Sequence, residues 1–172
     1  MKSLMPDQTK NEMLRHFLAA LAYRTQKALR DAPEGFASFD AGHGVRTPHE
    51  LICHMRSVLG YARTFFIGGT YDRPVPDVFR NDIDAFHEML GDLNGRFERG
   101  EEFHGITAEQ FLHGPFSDAM THAGQLAMLR RLHGAAPVPS ENFIYAEVSP
   151  ANVSAEQSRP VMPDADWTPE HK

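Results

Sequence analysis

Asp118 and His122 form the pair of residues whose types and spacing most clearly suit chemistry. They are four residues apart, so in a helix they lie one turn apart on the same face. A carboxylate oxygen and an imidazole nitrogen placed in this way can bind one metal ion without bending the helix. Between Phe116 and Leu129, Asp118 is the only formally charged residue, and a carboxylate there is costly unless a cation or strong donors offset its desolvation. The spacing therefore indicates two ligands of a metal site.

A third ligand has to come from another element, and His54 is the best candidate. It lies on the flank of the apolar stripe of a predicted helix, in line with Val58, Tyr61 and Phe65, where a neighbouring helix can be reached. Metal sites in helical bundles are commonly built from side chains of facing helices. Two histidines and one carboxylate suit Zn, Ni, Mn or non-haem Fe(II), and ligand type alone does not choose among these ions. We therefore predict one divalent transition metal held by His54 together with the first pair.

Each of the three residues also has an ordinary explanation that involves no metal. A carboxylate in the first turn of a helix, such as Asp118, is favourable there without any ion. A histidine such as His54 or His122 is more often a hydrogen-bonded part of the core. The three side chains could therefore form a buried hydrogen-bond network, and His113, just before the fourth helix, could replace one of them as a ligand.

Four segments have the apolar periodicity of helices that bury one face. The second has the clearest start, because Thr47 can cap it, Pro48 suits the first helical position and Glu50 completes a capping box. Gly68 should end this helix. The chain is therefore predicted to be all-α and to form one domain over residues 1–172. The predicted helices cover about residues 10–31, 48–67, 80–99 and 115–133.

The fourth predicted helix has apolar residues around nearly its whole circumference, which is typical of a helix buried on most sides. After it the helical pattern stops, and six prolines preclude further long helices. We expect residues 135–172 to form an irregular, proline-rich tail, in which residues 142–148 could run extended. Three apolar residues are expected to anchor the tail on the bundle, namely Phe143, Ile144 and Trp167.

The composition limits the class of protein. The 172 residues suit one domain with a single core, and 41% hydrophobic and 23% charged residues are ordinary for a globular protein. With a net charge of −6, the protein lacks the excess of positive charge that non-specific nucleic-acid binding requires. No apolar run approaches membrane-spanning length, and the N-terminal residues lack the apolar core of a signal peptide. The single cysteine, Cys53, excludes an internal disulfide and suits a reducing compartment, so a cytoplasmic location is expected.

Cys53 also stands next to His54, which suggests a thiol–imidazole pair. Adjacent residues of a helix point about 100° apart, so such a nucleophile pair is not expected. His49 lies at the start of the same helix, and nothing in the sequence marks it as functional.

Three segments carry a resemblance to a known family. Residues 118–134, DAMTHAGQLAMLRRLHG, resemble the last-helix motif of the DinB-like superfamily of damage-inducible-type four-helix metalloproteins. Residues 51–54, LICH, followed by Tyr61, resemble the second-helix ligand motif of that superfamily. The later segment ENFI, with Gln157 and Pro160, is similar to a tail found in one branch. Together these similarities extend over most of the chain.

The resemblance implies an up-down-down-up four-helix bundle, often a homodimer, with a metal held by three side chains. The usual pattern has one histidine on the second helix and His-x-x-x-His on the last. This sequence matches the pattern at His54 and His122 but has Asp118 in place of the first histidine of that pair. Carboxylate oxygen binds the same ions, so the departure bears on the identity and affinity of the metal.

Characterised relatives in the superfamily include transferases and isomerases that use low-molecular-weight thiols, and proteins proposed as hydrolases. The resemblance therefore implies a metal-dependent enzyme that acts on a small molecule by thiol transfer or metal-assisted hydrolysis. In such a mechanism Tyr61 or His87 could assist as a hydrogen-bond donor beside the metal ligands. For His87, core packing is the simpler interpretation. An alternative is a non-catalytic dimer that uses a metal structurally or binds a ligand as a stress-response module. A coordination position open to a cleft would favour the enzyme.

Overall fold

In a computed structural model, which describes residues 7–163, the chain is all-helical. Within that range no strand forms, and the only bridge of strand type joins Glu141 to Pro163. The all-α prediction is confirmed. The four long helices are α1 (Gln8–Leu29), α2 (Pro48–Ile67), α3 (Phe79–Glu98) and α5 (Ser117–His133), and α4 (Ala108–Phe111) is a single turn.

The boundaries of α2 are those that its sequence predicts. The Thr47 hydroxyl accepts the backbone N–H of Glu50, and the Glu50 carboxylate accepts the backbone N–H of Thr47 at 2.8 Å. At the other end Gly68 has φ 71°, a conformation that glycine adopts without a Cβ penalty. These two ends place His54 in the second turn of α2.

The end of α1 is set by a side chain from α5. The helix stops at Leu29, two residues before the predicted end, because Arg30 is extended and Asp31 has φ 52°. The buried guanidinium of Arg130 donates hydrogen bonds to the backbone carbonyls of Ala28, Arg30 and Asp31, at 2.8–3.0 Å. Arg130 also donates to the carbonyl of a residue beyond the end of α5. One arginine therefore satisfies carbonyls at the ends of two helices.

A wide turn of π type, Leu112–Phe116, separates α4 from α5. Gly114 within it has φ −89° and ψ −111°, which is not helical. Because regular helical geometry resumes only after this break, α5 begins at Ser117, two residues later than predicted. The break leaves Asp118 in the first turn of α5, where the helix dipole favours a carboxylate.

The four long helices pack in a ring around one core. α1 contacts α3 and α5, and α2 contacts the same two helices. Aromatic rings in mutual contact fill the part of the core near the turn before α5: Phe66, Phe97, Phe103, Phe111 and Phe116. This arrangement brings α2 and α5 side by side, which is the condition for a shared site.

The prediction that α5 is buried on most sides is wrong. Met128 and Leu132 are 53% and 55% exposed, and Thr121 and Gly124 are exposed beside them. Among the long helices α5 packs against only α1 and α2, so one face stays outside the ring. The apolar character of that face made it look like core, since composition does not show how many neighbours a helix has.

The described part of the C-terminal segment, residues 134–163, lies on the bundle as an irregular chain. Residues 143–145 form one 3-10 turn, so the extended run expected at residues 142–148 does not occur. The ring of Phe143 packs under the guanidinium of Arg24 at 3.6 Å and is an anchor as expected. Ile144 is 80% exposed and is not an anchor, and Trp167 lies outside the described residues.

A buried histidine fixes this segment to the helices. His87 bonds through Nδ1 to the backbone carbonyl of Val153 and through Nε2 to the amide of Gln26, both at 2.8 Å. A carbonyl acceptor requires the proton on Nδ1, so Nε2 accepts from the Gln26 amide. Nearby, Asn94 donates to the carbonyl of Pro150 at 3.0 Å. His87 is therefore a hydrogen-bonded core residue that joins α1, α3 and the C-terminal segment.

Replacing Arg130 with methionine should destabilise the protein strongly. The change removes the donors of four backbone carbonyls, of which that of Ala28 is buried, and leaves a cavity at a buried side chain. We therefore expect the free energy of unfolding in urea to fall by about 3 kcal/mol. The matched control is Arg159→Met, because Arg159 is exposed and should cost less than about 0.5 kcal/mol. Equal unfolding midpoints for the two variants would contradict this role of Arg130.

His87 should make stability depend on pH. Burial lowers the pKa of His87 below its ordinary 6.5, against the smaller opposing effects of Val153 and Asp84. The unfolded chain therefore takes up a proton near pH 6.5 while the folded protein does not. This contribution to stability is complete above pH 6.5 and is lost as the pH falls through the folded pKa.

We expect the free energy of unfolding to drop less between pH 7 and pH 5 in His87→Gln than in the wild type. His16→Gln, a change at an exposed histidine, serves as the control and should keep the wild-type slope. Urea titrations at several pH values measure the slopes. Identical slopes for His87→Gln and the wild type would show that another group carries the dependence.

Candidate metal centre

The structure brings His54, Asp118 and His122 together where α2 faces the start of α5. The imidazole rings lie edge to face with their centroids 4.6 Å apart. Nε2 of His122 is 3.4 Å from Oδ1 of Asp118, and Nε2 of His54 is 4.0 Å from Oδ2. One donor atom from each residue therefore borders the same small space.

The distances leave Asp118 without a direct hydrogen bond to either imidazole ring. An N–H···O hydrogen bond has a heavy-atom distance of about 2.7–3.2 Å, and both N···O distances between Asp118 and the rings are longer. Bonds of about 2.0–2.1 Å in a tetrahedral zinc site place neighbouring ligand atoms about 3.3–3.4 Å apart. The distance between Asp118 and His122 matches this spacing and that between Asp118 and His54 is longer, so the group is compatible with a shared ion.

Gln125 orients one of the two rings. Its Oε1 lies 2.8 Å from Nδ1 of His122, and because a carboxamide oxygen only accepts, the proton must be on Nδ1. This tautomer leaves the lone pair of Nε2 directed toward Asp118 and His54. Ligand histidines typically donate their second N–H to such an acceptor. This role of Gln125 was not predicted from the sequence, although the spacing from His122 to Gln125 is the i, i+3 spacing of neighbours on a helix.

The environment of His54 keeps its ring neutral. Burial is the main cause that lowers the pKa of His54 below 6.5, the charge of Arg46 acts in the same direction, and so does His122 when it is protonated. Asp118 acts in the opposite direction and does not outweigh them. A metal binds the neutral form of imidazole, so this shift keeps the ligand available at neutral and mildly acidic pH.

An open cleft of about 900 Å³ runs beside the three residues. His54 and Asp118 line it, and the side chain of Asp118 is half exposed. Tyr61 lines the same cleft, with its ring 5.4 Å from that of Tyr71. His113 is a further lining residue, but it does not belong to the group of donors that approach one another.

The structure does not bring His87 to this cleft. Its contacts are with α1 and the C-terminal segment, and it lines a separate pocket with Val153. Both ring nitrogens of His87 are engaged, which leaves neither for a substrate. Of the two helpers that the resemblance suggested, Tyr61 is the one positioned beside the proposed ligands.

A second group of donors consists of His49, Cys53 and Asp82. It lies between α2 and the first turn of α3, and the sequence analysis did not identify it. The Asp82 carboxylate bonds to Nε2 of His49 at 2.7 Å, to the guanidinium of Arg56 and to the backbone N–H of Asp77. The i, i+4 spacing of His49 and Cys53 was the available signal, but Asp82 comes from a distant part of the sequence.

This second group is a less suitable metal site. Arg56 and His49 already satisfy both oxygens of Asp82. Burial, with a contribution from Asp82, raises the pKa of the Cys53 thiol to about 11, whereas a metal requires the thiolate. An ion would have to displace an arginine and deprotonate a buried thiol. We therefore interpret these residues as a polar link between α2 and α3.

Comparison of the chain with protein-family models, with curated proteins and with solved structures finds no match. The resemblance to the DinB-like superfamily therefore rests on the motif residues alone. Within residues 7–163, no helix combines the length and the apolar character needed to cross a membrane.

The role of Gln125 can be tested through metal affinity. In Gln125→Met the acceptor for Nδ1–H of His122 is lost while the side-chain length is kept. We expect the affinity for Zn²⁺, measured by competition with a chelator at pH 7, to fall by about 10–100-fold. Gln8→Met, the same change at the exposed start of α1, should leave it unchanged. Unaltered affinity in Gln125→Met would refute an orienting role.

Proposed function

We propose that this protein binds one divalent transition metal, Zn, Ni, Fe or Mn, through His54, Asp118 and His122. The observation that carries the proposal is the approach of three donor atoms at distances too long for hydrogen bonds and suited to a shared ion. The hydrogen bond from His122 to Gln125 supports it, because it directs a free lone pair into the same space.

We propose further that the site is catalytic and acts on a small molecule by thiol transfer or hydrolysis. The three protein ligands leave room for more, and the cleft beside His54 and Asp118 gives access from solvent. A structural ion would instead be expected to have four protein ligands and a closed site. When bound, such an ion supplies a Lewis acid that polarises a carbonyl group and favours deprotonation of a thiol or of water.

The residues of the chain have separate tasks in this proposal. His54, Asp118 and His122 hold the ion, and Gln125 keeps the tautomer of His122. Tyr61 can donate or accept a hydrogen bond from the wall of the cleft. The protein's own thiol, Cys53, is protonated and engaged beside Asp82, so a thiol that is transferred has to come from a second small molecule.

The proposal also covers the topology, the oligomeric state and the location of the protein. We infer a cytoplasmic, DinB-like, up-down-down-up bundle that forms a homodimer. A contact between helix ends supports this topology. His49 at the start of α2 bonds to Asp82 at the start of α3, as expected if these two helices run in the same direction. The exposed Met128 and Leu132 on one face of α5 support association of two copies.

Metal content tests the proposal directly. Protein purified without a metal-affinity tag and then loaded with Zn²⁺ should retain about one equivalent by elemental analysis. His122→Ala and Asp118→Asn should lose the metal and keep their helical circular dichroism. Cys53→Ser and His49→Gln, at the second group of donors, are the controls and should keep it.

Loss of metal in the controls, with retention in His122→Ala, would move the ion to the second group and overturn the assignment. Less than about 0.2 equivalents of Zn²⁺ in the loaded wild type would reject a metal site altogether.

The proposed catalytic activity is tested with Zn²⁺-loaded protein in two assays. One measures hydrolysis of an activated ester, and the other measures transfer of a low-molecular-weight thiol to an electrophile. His122→Ala should be inactive in the assay that the wild type supports.

A further inference from the structure

Two arginines in the cleft have no role in the function proposed so far. Arg46 precedes α2, and Arg73 lies in the connection between α2 and α3, yet both line the cleft beside His54 and Asp118. Within residues 7–163, neither forms a hydrogen bond or an ion pair. Many other arginines of this range do pair with carboxylates: Arg15, Arg56, Arg80, Arg96, Arg99 and Arg159.

The backbone on either side of these arginines is held in place. Arg46 is followed by Thr47, whose N–H and hydroxyl are both engaged in the capping box of α2. Arg73 is followed by Pro74, which restricts its backbone to extended conformations. Two residues earlier, Tyr71 packs on α2, where its Cβ would lie 3.5 Å from a Cβ at Gly60. Both arginines therefore reach the cleft from segments whose backbone is restrained nearby, and both side chains are exposed to solvent.

The charges of the cleft favour an anion. Its charged lining consists of Arg46 and Arg73 against Glu50 and Asp118, whose formal charges cancel. A divalent ion in the proposed site therefore leaves the cleft with a net charge of about +2 on a protein whose net charge is −6. The Glu50 carboxylate is already engaged by the N–H of Thr47, so it competes little for the arginines.

The remaining wall is aromatic and apolar. Tyr61 and Tyr71 lie edge to face, and Val58, Pro74 and Pro76 continue the same surface. Such a wall suits the hydrocarbon part of a ligand, whereas two guanidinium groups suit an oxyanion that accepts paired hydrogen bonds.

We propose that the cleft binds a small molecule whose oxyanion head group, a carboxylate or a phosphate, is held by Arg46 and Arg73. Its apolar body packs on Tyr61 and Tyr71, and its reacting group faces the proposed metal ligands. This inference rests on the proposed function, because it names the substrate class of the same site. It is nevertheless testable by binding alone.

Three probes with the same phenylethyl body separate charge from shape: 3-phenylpropionate, 2-phenylethylphosphonate and the neutral 3-phenylpropionamide. Titration calorimetry with Zn²⁺-loaded protein should show binding of at least one anion, weakened by added salt, and much weaker binding of the amide. Arg46→Gln and Arg73→Gln should each weaken binding of the anion by about tenfold. Arg159→Gln has the same change in net charge away from the cleft and should have no effect.

The outcomes distinguish this inference from the metal assignment. If the wild type retains Zn²⁺ but neither arginine variant changes the affinity for the anions, the inference is wrong and the metal site stands. A second outcome is that no metal is retained, but metal-free protein binds the anions more tightly than the amide and this binding is weakened in Arg46→Gln and Arg73→Gln. The anion site is then supported without the metal site. The tighter of the two anions identifies the head group as carboxylate or phosphate.

Discussion

The candidate site depends on the interruption of the helix at Gly114. α5 begins just before Asp118, which places its carboxylate in the first turn of the helix, at the end that faces α2 and His54. The non-helical Gly114 sets that start, and the i, i+4 relation then places His122 one turn further along the same face. Close packing of α5 on α2 supplies His54. If the helix continued without a break through Leu112–Phe116, Asp118 and His122 would face a different direction relative to α2.

The second turn of α2 serves two polar groups at once. His54 points toward α5, whereas the adjacent Cys53 points toward Asp82 on α3, as the 100° rotation between neighbours requires. The Asp82 group is saturated by internal bonds and links two helices, while the Asp118 group is not internally bonded. The Asp82 carboxylate has all its partners within the protein and acts as a structural link. The Asp118 carboxylate has no such hydrogen bonds and can therefore accept an ion.

Local chemistry explains what could be predicted from the sequence. The capping box at Thr47 and the facing pair Asp118 and His122 involve residues a few positions apart, so helix geometry alone predicts them. His54 needed one further assumption, that α2 faces α5. The closure of α1 by Arg130 and the link between His49 and Asp82 were not predicted, because each joins residues 33 or more positions apart in sequence. The exposure of α5 was misjudged for the same reason, since it depends on which helices are neighbours.

The carboxylate of Asp118 lowers the charge of the proposed metal site, and the arginines of the cleft can compensate for this. A divalent ion with two neutral imidazoles and one carboxylate carries a net charge of about +1, against +2 with three imidazoles, and attracts an anionic substrate less strongly. Arg46 and Arg73 place positive charge elsewhere in the cleft. An oxyanion head group then has a better partner than the ion. In the proposed function, the open coordination positions would then be left to the reacting end of the molecule, and the carboxylate ligand and the two arginines would together orient one substrate.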